Sequence, residues 1–423
     1  MERAMMPEHK AKDCDIVLFD ANSYYASCHQ AVNPELQGKP LLVAGDPRNR
    51  TGIILTASYE ARFYGVKTAM PLFQALKLCP EAVVLSPDFR LYLELSRKMW
   101  EIVERYTDED HIEVVSVDEC FADFRGSHLL FGSTEEIARR VQKEILEELG
   151  LGVSVGVSYC KIFAKLASDY QRDPKTRVKL PRSFTVIAPG DLESKIWPLG
   201  VGELSGIGRQ TEKQLADLGI RTIGDLAQAS PQALRKGFGV YGTKLYAWAN
   251  GRDERPVTPE DQVKDHSIGR SITLPQDITD PEQGAEVLLF LADSVGRKVR
   301  REETKAQTLT VQVKDAEFKT RTYSTTLFEP TDSTDVIYRE SLKLLAKWPQ
   351  GKPIRLLGLT ASRLQKGIEQ LSLFQEESEE QTELDRTVDE LRDKYGSGIL
   401  MRGTQYLSLS RKLAGRSAKD KRE

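Results

Sequence analysis

An acid pair set between two apolar runs constrains this chain more than any other feature. Val114-Val-Ser-Val117 leads into Asp118-Glu119, and Cys120-Phe-Ala-Asp-Phe124 follows. The pattern predicts a β-hairpin with both acids at its tip. Consecutive side chains on a flat strand point to opposite faces, but a tight turn can aim neighbours at one point. Carboxylates held that close raise each other's pKa unless a cation lies between them. Oxygen ligands of this kind suit Mg2+, which takes one or two protein carboxylates and leaves its other positions to water and phosphate. A solvated turn would look the same in isolation.

With 423 residues the chain is too long for one ordinary core, and two to four domains are expected. No apolar run is long enough to span a bilayer, and the polar N-terminus does not read as a signal peptide, so a soluble, cytoplasmic protein without membrane contact is expected. Five scattered cysteines without a C-x-x-C pair argue against disulfides and zinc. A net charge of −3 does not by itself suggest nucleic acid, but its distribution is uneven. Acids crowd 376–390, residues 411–422 are basic, and without the acidic stretch the chain is somewhat positive.

Along the first part, strands at 16–19, 41–44, 52–56, 83–85 and 153–157 alternate with helices at 58–64, 71–78, 89–106, 134–149 and 161–170. This predicts a mixed α/β core of about 170 residues. Residues 191–251 carry short helices punctuated by glycine, and 251–265 reads as a polar linker. Strands at 267–274, 308–313 and 356–364 with helices at 281–302 and 335–348 resemble a β-α-β-β-α-β unit. The acidic 375–382 is expected to be disordered, with a short helix at 384–395.

Asp20 closes the first strand, where open sheets place active groups, although a helix cap would look similar. With Asp118 and Glu119 it could hold two divalent ions for in-line phosphoryl displacement. A phosphate cradle is available in Thr56-Ala-Ser-Tyr-Glu-Ala-Arg62: Tyr59 and Arg62 share a helix face, and Thr56 stands at the helix entrance. Lys161 and Lys165 form a further i, i+4 pair.

These residues occur within longer motifs. Phe19-Asp-Ala-Asn-Ser-Tyr-Tyr-Ala-Ser27, Thr56 to Arg62, Tyr64-Gly-Val-Lys-Thr-Ala-Met-Pro71, Ser116-Val-Asp-Glu-Cys-Phe-Ala-Asp123 and Gly156-Val-Ser-Tyr-Cys-Lys-Ile-Phe-Ala-Lys-Leu-Ala-Ser-Asp169 follow one another in order. Together they resemble the Y-family, translesion DNA polymerases of the bacterial polymerase IV type, over about residues 15–365. The resemblance implies an α+β multidomain right hand. Palm is expected at 1–29 and 89–178, small fingers at 30–88, and a helix-hairpin-helix thumb at 179–251. A linker at 252–265 and a β-α-β-β-α-β little finger at 266–366 follow, with a clamp-binding peptide, acidic linker and basic tail at 367–423.

Family roles carry over onto matching positions. Asp20, Asp118, Glu119 and the main-chain carbonyl of Ala21 would hold two Mg2+, with Mn2+ able to substitute; Asp20 and Asp118 would bridge both ions and Glu119 would serve the one at the primer 3′-hydroxyl. Tyr25 matches the steric gate against a 2′-hydroxyl, beside Tyr24, and Thr56, Tyr59, Arg62 and Lys165 match the triphosphate contacts. Asn22 stands where many relatives have aspartate, and Ser58 and Cys120 also depart from the commoner residues.

Leu204-Ser-Gly-Ile-Gly-Arg-Gln-Thr211 resembles a helix-hairpin-helix whose Gly206 and Gly208 let the backbone approach a DNA phosphate. Arg270, Arg297, Arg300, Lys314 and Arg321 are candidate duplex-backbone contacts in the little finger. Gln370-Leu-Ser-Leu-Phe374 resembles the peptide by which bacterial polymerases dock on the sliding clamp (its β subunit), through Gln370, Leu371, Leu373 and Phe374. The expected function is low-fidelity, template-directed extension of a primer with dNTPs by a monomer on the bacterial nucleoid. A catalytically silent DNA- and clamp-binding homologue would have no need of the three acids. Another two-metal phosphotransferase, such as a nucleotide cyclase, would have no use for the thumb and little finger.

Overall fold

The computed structural model describes residues 13–46, 52–174, 176, 178–259, 267–366, 376–396, 399 and 400. These form two compact units, divided between 259 and 267. In the first, β1 (Ile16–Ala21) leads into α1 (Tyr24–Val32). A small three-stranded layer follows: β2 (Leu41–Ala44), β3 (Ile54–Ala57), the helices α2 (Tyr59–Phe63) and α3 (Leu72–Leu78), then β4 (Val83–Leu85), in the order β3-β2-β4. The chain returns through α4 (Phe89–Glu104) to β5 (Ile112–Ser116) and β6 (Glu119–Asp123). After the short α5 (His128–Phe131) come α6 (Thr134–Leu149), β7 (Val153–Ser158), α7 (Lys161–Ser168) and β8 (Phe184–Ile187).

The main sheet runs β5-β6-β1-β7-β8. Its central strand is buried on both faces, as a run of Ile16-Val-Leu-Phe19 requires. Tyr92, Met99 and Val103 of α4 and Ile137, Val141 and Ile145 of α6 pack on one face. On the other face α7 lies so close that a Cβ on Gly156 would come within 2.0 Å of the Ala164 carbonyl oxygen. Gly156→Ala is therefore expected to cost about 3 kcal/mol, as overpacked cores do. Gly190→Ala, whose new Cβ would meet nothing, should change stability by less than about 0.5 kcal/mol. Urea unfolding of the two variants checks the contrast.

Two findings depart from the sequence reading here. The strand β8 was not anticipated; it pairs in parallel with β7 and extends the sheet past residue 178, where the palm was expected to close. The first part of the expected linker is tied down. Buried Asp253 accepts from the Ile162 amide at 3.0 Å, and Glu113 accepts from Lys161 and, at 2.8 Å, from the Thr258 amide. Lys161 thus serves structure, not a phosphate. The unit ends in α8 (Arg209–Asp217), α9 (Ile223–Gln228), α10 (Pro231–Phe238) and α11 (Val240–Ala249), packed around Leu215, Ile223, Leu226, Leu234 and Leu245.

The second unit is a four-stranded antiparallel sheet backed by helices. Its elements are β9 (Ser267–Ile278), α12 (Pro281–Arg301), β10 (Thr304–Lys314), β11 (Thr320–Thr331), α13 (Thr334–Leu345) and β12 (Ile354–Lys366), with strand order β11-β10-β12-β9. Leu309, Val311 and Val313 of β10 meet the helices, so the alternate residues form an open face.

Residues 376–382, expected to be disordered, lie in α14 (Glu376–Tyr395). Glutamate is a good helix former, and Arg392 and Lys394 sit in the last turn, where cations are favoured. Tertiary partners complete the explanation. Asp385 and Asp389 take the buried Arg300 guanidinium, Asp393 takes Arg297 at 2.6 Å, and Arg392 reaches back to Asp293 at 3.0 Å. Gln370 to Phe374 and the basic tail lie outside the described residues. No described helix is long and apolar enough to cross a membrane, and the five cysteines are free.

Candidate active site

The hairpin and the first strand meet in register. Asp20 on β1 lies directly across from Glu119 on β6, and the Ala21 amide donates to the Asp118 carbonyl at 2.8 Å, tying strand to turn. Asp118 accepts a hydrogen bond from Ser116 Oγ at 2.5 Å. Burial pushes Asp20 above the ordinary carboxylate range, against the pull of Lys179 and Lys165. Glu119 is raised for the same reason, against the pull of Lys165.

A cavity of about 420 Å³ opens over these acids. Asp20, Ala21, Tyr24, Tyr25, Thr56, Tyr59, Arg62 and Asp118 all line it, so most of the residues singled out in the sequence converge there. Thr56 comes from β3 and Tyr59 and Arg62 from α2, whose capping residue Ser58 accepts from the Ala61 amide. The Arg62 guanidinium lies 5.4 Å from the Tyr59 ring centre and donates through Nε to the Ala57 carbonyl at 3.0 Å. Burial raises the Tyr59 hydroxyl to about 12, so it is a neutral hydrogen-bond donor. The Tyr25 ring stacks on Tyr92 with 4.2 Å between centres and 14° between planes, and meets Phe89 edge-on. Tyr24 donates to the Tyr92 carbonyl at 2.6 Å.

Among the described residues, no three acid, histidine or cysteine side chains converge tightly enough to hold an ion as they stand. Ammonium groups stand in for cations. Lys165 pairs with Glu119 and reaches to 3.8 Å from Asp20, and Lys179 lies 3.1 Å from both Asp20 and Asp169. Buried carboxylates are costly unless paired, so this donor set fits a cation. Lys179 and Asp169 line the cavity and were missed in the sequence. Asn22 donates to Ser154 Oγ at 2.8 Å and accepts from the Arg182 amide at 2.7 Å.

The expected DNA contacts are more dispersed. Gly206 adopts φ 95°, which favours glycine, while Gly208 begins α8 with open space around it. In the second unit, Arg297 and Arg300 are corrected: α14 occupies both guanidinium groups, and Arg300 is 4% exposed. Arg270 sits on an edge strand, lies over Phe290 and donates to Ser294 on α12. Arg321 is exposed on the other edge strand, opposite Val313. Lys314 alone of these five takes the open-face position, alongside Thr308, Thr310 and Gln312. Across from them stand Ser324 and Thr326 on β11 and Gly358, Thr360 and Ser362 on β12. That face is rich in hydroxyls.

The impB/mucB/samB family profile matches residues 19–169, and the profile of that family's C-terminal domain matches 265–373. A thumb-domain profile described from DNA polymerase-iota matches 202–253. The chain is 38% identical over 400 residues to a DNA polymerase IV of Clostridium kluyveri, covering 92% of this chain and 97% of that one. It is 40% identical over 395 residues to a DNA polymerase IV of Moorella thermoacetica, at 93% and 96% coverage. Among solved structures, a Y-family DNA polymerase chimera superposes with a TM-score of 0.72 at 25% identity, covering 83% of this chain and 99% of that one. An insertion ternary complex of Dbh DNA polymerase gives 0.57 at 25% identity and the same coverage.

Proposed function

The chain belongs to the impB/mucB/samB family, the Y-family translesion DNA polymerases, and on that premise we propose how its palm cavity performs template-directed synthesis. The protein is a DNA-directed DNA polymerase acting on DNA and deoxynucleoside triphosphates. The primer 3′-oxygen forms a bond to the α-phosphorus of the incoming nucleotide, the α–β phosphoanhydride bond breaks, and pyrophosphate leaves. Asp20, Asp118, Glu119 and the Ala21 carbonyl would hold two Mg2+, with Mn2+ able to substitute. Bound there, the ions would ease loss of the 3′-hydroxyl proton and neutralise charge gathering on the triphosphate.

The protein's own groups do the positioning. Thr56, Tyr59 and Arg62 bind the triphosphate, Lys165 supplies a cation beside it, and Tyr25 excludes a 2′-hydroxyl. The observation that carries this reading is the convergence of Asp20, Asp118, Tyr25, Thr56, Tyr59 and Arg62 on one cavity, with Glu119 directly across from Asp20. Gly206 and Gly208 hold a DNA phosphate, and Arg270, Lys314 and Arg321 flank the duplex. Tolerance of damaged templates follows from small fingers, built here on three short strands and two short helices. The protein works as a monomer in the bacterial cytoplasm on the nucleoid, and docks on the sliding clamp through Gln370, Leu371, Leu373 and Phe374.

Primer extension on intact and lesion-bearing templates tests the reading. Wild type should extend with Mg2+ and dNTPs and stop when EDTA is added; template-independent addition, or none, would sink it. Deleting 370–374 should spare basal extension and abolish stimulation by the clamp. Equal stimulation removes the docking claim.

A further inference from the structure

We propose that Lys179 is a further nucleotide-binding residue: its ammonium group, which pairs with Asp20 and Asp169, takes a β- or γ-phosphate oxygen of the incoming triphosphate. The inference rests on the polymerase reading of this cavity. Lys179 Nζ is 3.1 Å from Asp20 Oδ2 and 3.1 Å from Asp169 Oδ1. Arg62 and Lys179 are the cations among the described residues lining the cavity, where Thr56 and Tyr59 also face the space a triphosphate would take. Arg62 already commits its Nε to the Ala57 carbonyl. Lys179 is therefore well placed to meet added negative charge.

The backbone that delivers Lys179 is built for the purpose. Arg172 and Lys179 pair as an antiparallel bridge, and the Leu180 amide donates to the Gln171 carbonyl at 2.9 Å. The Asp173 amide donates to the Val178 carbonyl at 2.8 Å. Three residues beyond Lys179, the Arg182 amide donates to Asn22 Oδ1, and Asn22 in turn donates to Ser154 on β7. An amide side chain can accept and donate at once, whereas a carboxylate can only accept. Asn22 thus fastens this hairpin to the strand end that carries Asp20, and a lysine far along the chain is held beside the acids.

Charge explains why the lysine should change partners. Buried acids held close together repel one another, and an ammonium group offsets that repulsion. When a nucleotide arrives with its own cations, Asp20 gains other partners, and the released ammonium has phosphate oxygens within the same cavity. A flexible four-carbon stem and three donors suit lysine to such an exchange.

The test compares full-length Lys179→Ala and Lys179→Arg with wild type. Nucleotide affinity is read in single-turnover kinetics, which separate Kd from the rate of bond formation. It is read again at equilibrium in a primer–template complex with Ca2+, by the fluorescence of 2-aminopurine in the template. Lys179→Ala should weaken dNTP binding by about ten-fold or more, the worth of one charge-assisted hydrogen bond. Its DNA affinity should stay at the wild-type value, its melting temperature should fall as Asp20 and Asp169 lose a cation, and Lys179→Arg should recover most of the loss in dNTP affinity. Unchanged dNTP affinity in Lys179→Ala overturns the proposal. So does weakened dNTP affinity that comes with an equal loss of DNA affinity and no recovery by arginine, which marks a structural role. Wild type in the same assay guards the premise: if it does not extend, the polymerase reading fails, and if it extends while the variant binds normally, only this inference does.

Discussion

Asp118→Ala should slow primer extension by about a thousand-fold or more while leaving DNA affinity and melting temperature near wild type. Metal-assisted stabilisation of the developing charge is worth several kcal/mol, and each ~1.4 kcal/mol is ten-fold in rate. The fold should tolerate the change because Asp118 lies at a turn, and what ties that turn to β1 is its main-chain carbonyl, which accepts from Ala21. Removing the side chain frees only a hydrogen bond from Ser116. Asp118→Asn keeps the shape and loses the charge, so it should fail nearly as badly. Extension that persists at wild-type rate in either variant would end the two-metal account, whatever the family of the chain.

The second large effect concerns sugar choice. Tyr25→Ala should raise ribonucleotide insertion relative to deoxynucleotide insertion by on the order of a hundred-fold, because a steric clash against the wrong sugar is worth several kcal/mol. The stacking of Tyr25 on Tyr92 and its edge contact with Phe89 give the ring a fixed wall to rest on. A gate held only by its own rotamer could swing aside; this one cannot without breaking the stack. Tyr25→Phe keeps the ring and should keep the discrimination. The ratio of incorporation efficiencies for matched ribo- and deoxynucleotides decides the matter, and an unchanged ratio in Tyr25→Ala would remove Tyr25 from the role.

The acid hairpin and Asp20 were legible because their signals are local: an apolar run ending in acid, and a turn between two apolar runs. That Asp20 would face Glu119 across a ladder was not legible, since pairing register belongs to the folded sheet. Lys179 escaped notice because a lysine in a polar stretch has no local mark of its destination. Its position depends on Asn22 and Arg182, which lie 160 residues apart. The strand β8 was missed because a four-residue run beside a sheet edge carries little periodic signal. The reading of 375–382 as disordered treated acids as repelling one another, without the arginines of α12 that receive those further along the same helix. Those arginines were in turn read as duplex contacts for want of visible partners.

The docking of α14 also makes a C-terminal helix part of the stability of the second unit. The Arg300 guanidinium is buried, and two of its partners, Asp385 and Asp389, belong to that helix. Unseating α14 would leave the guanidinium without either carboxylate, against the ~3–5 kcal/mol penalty for breaking a buried pair. The helix is thus a staple on the sheet unit, and a truncation that removes it weakens the unit it is clasped to.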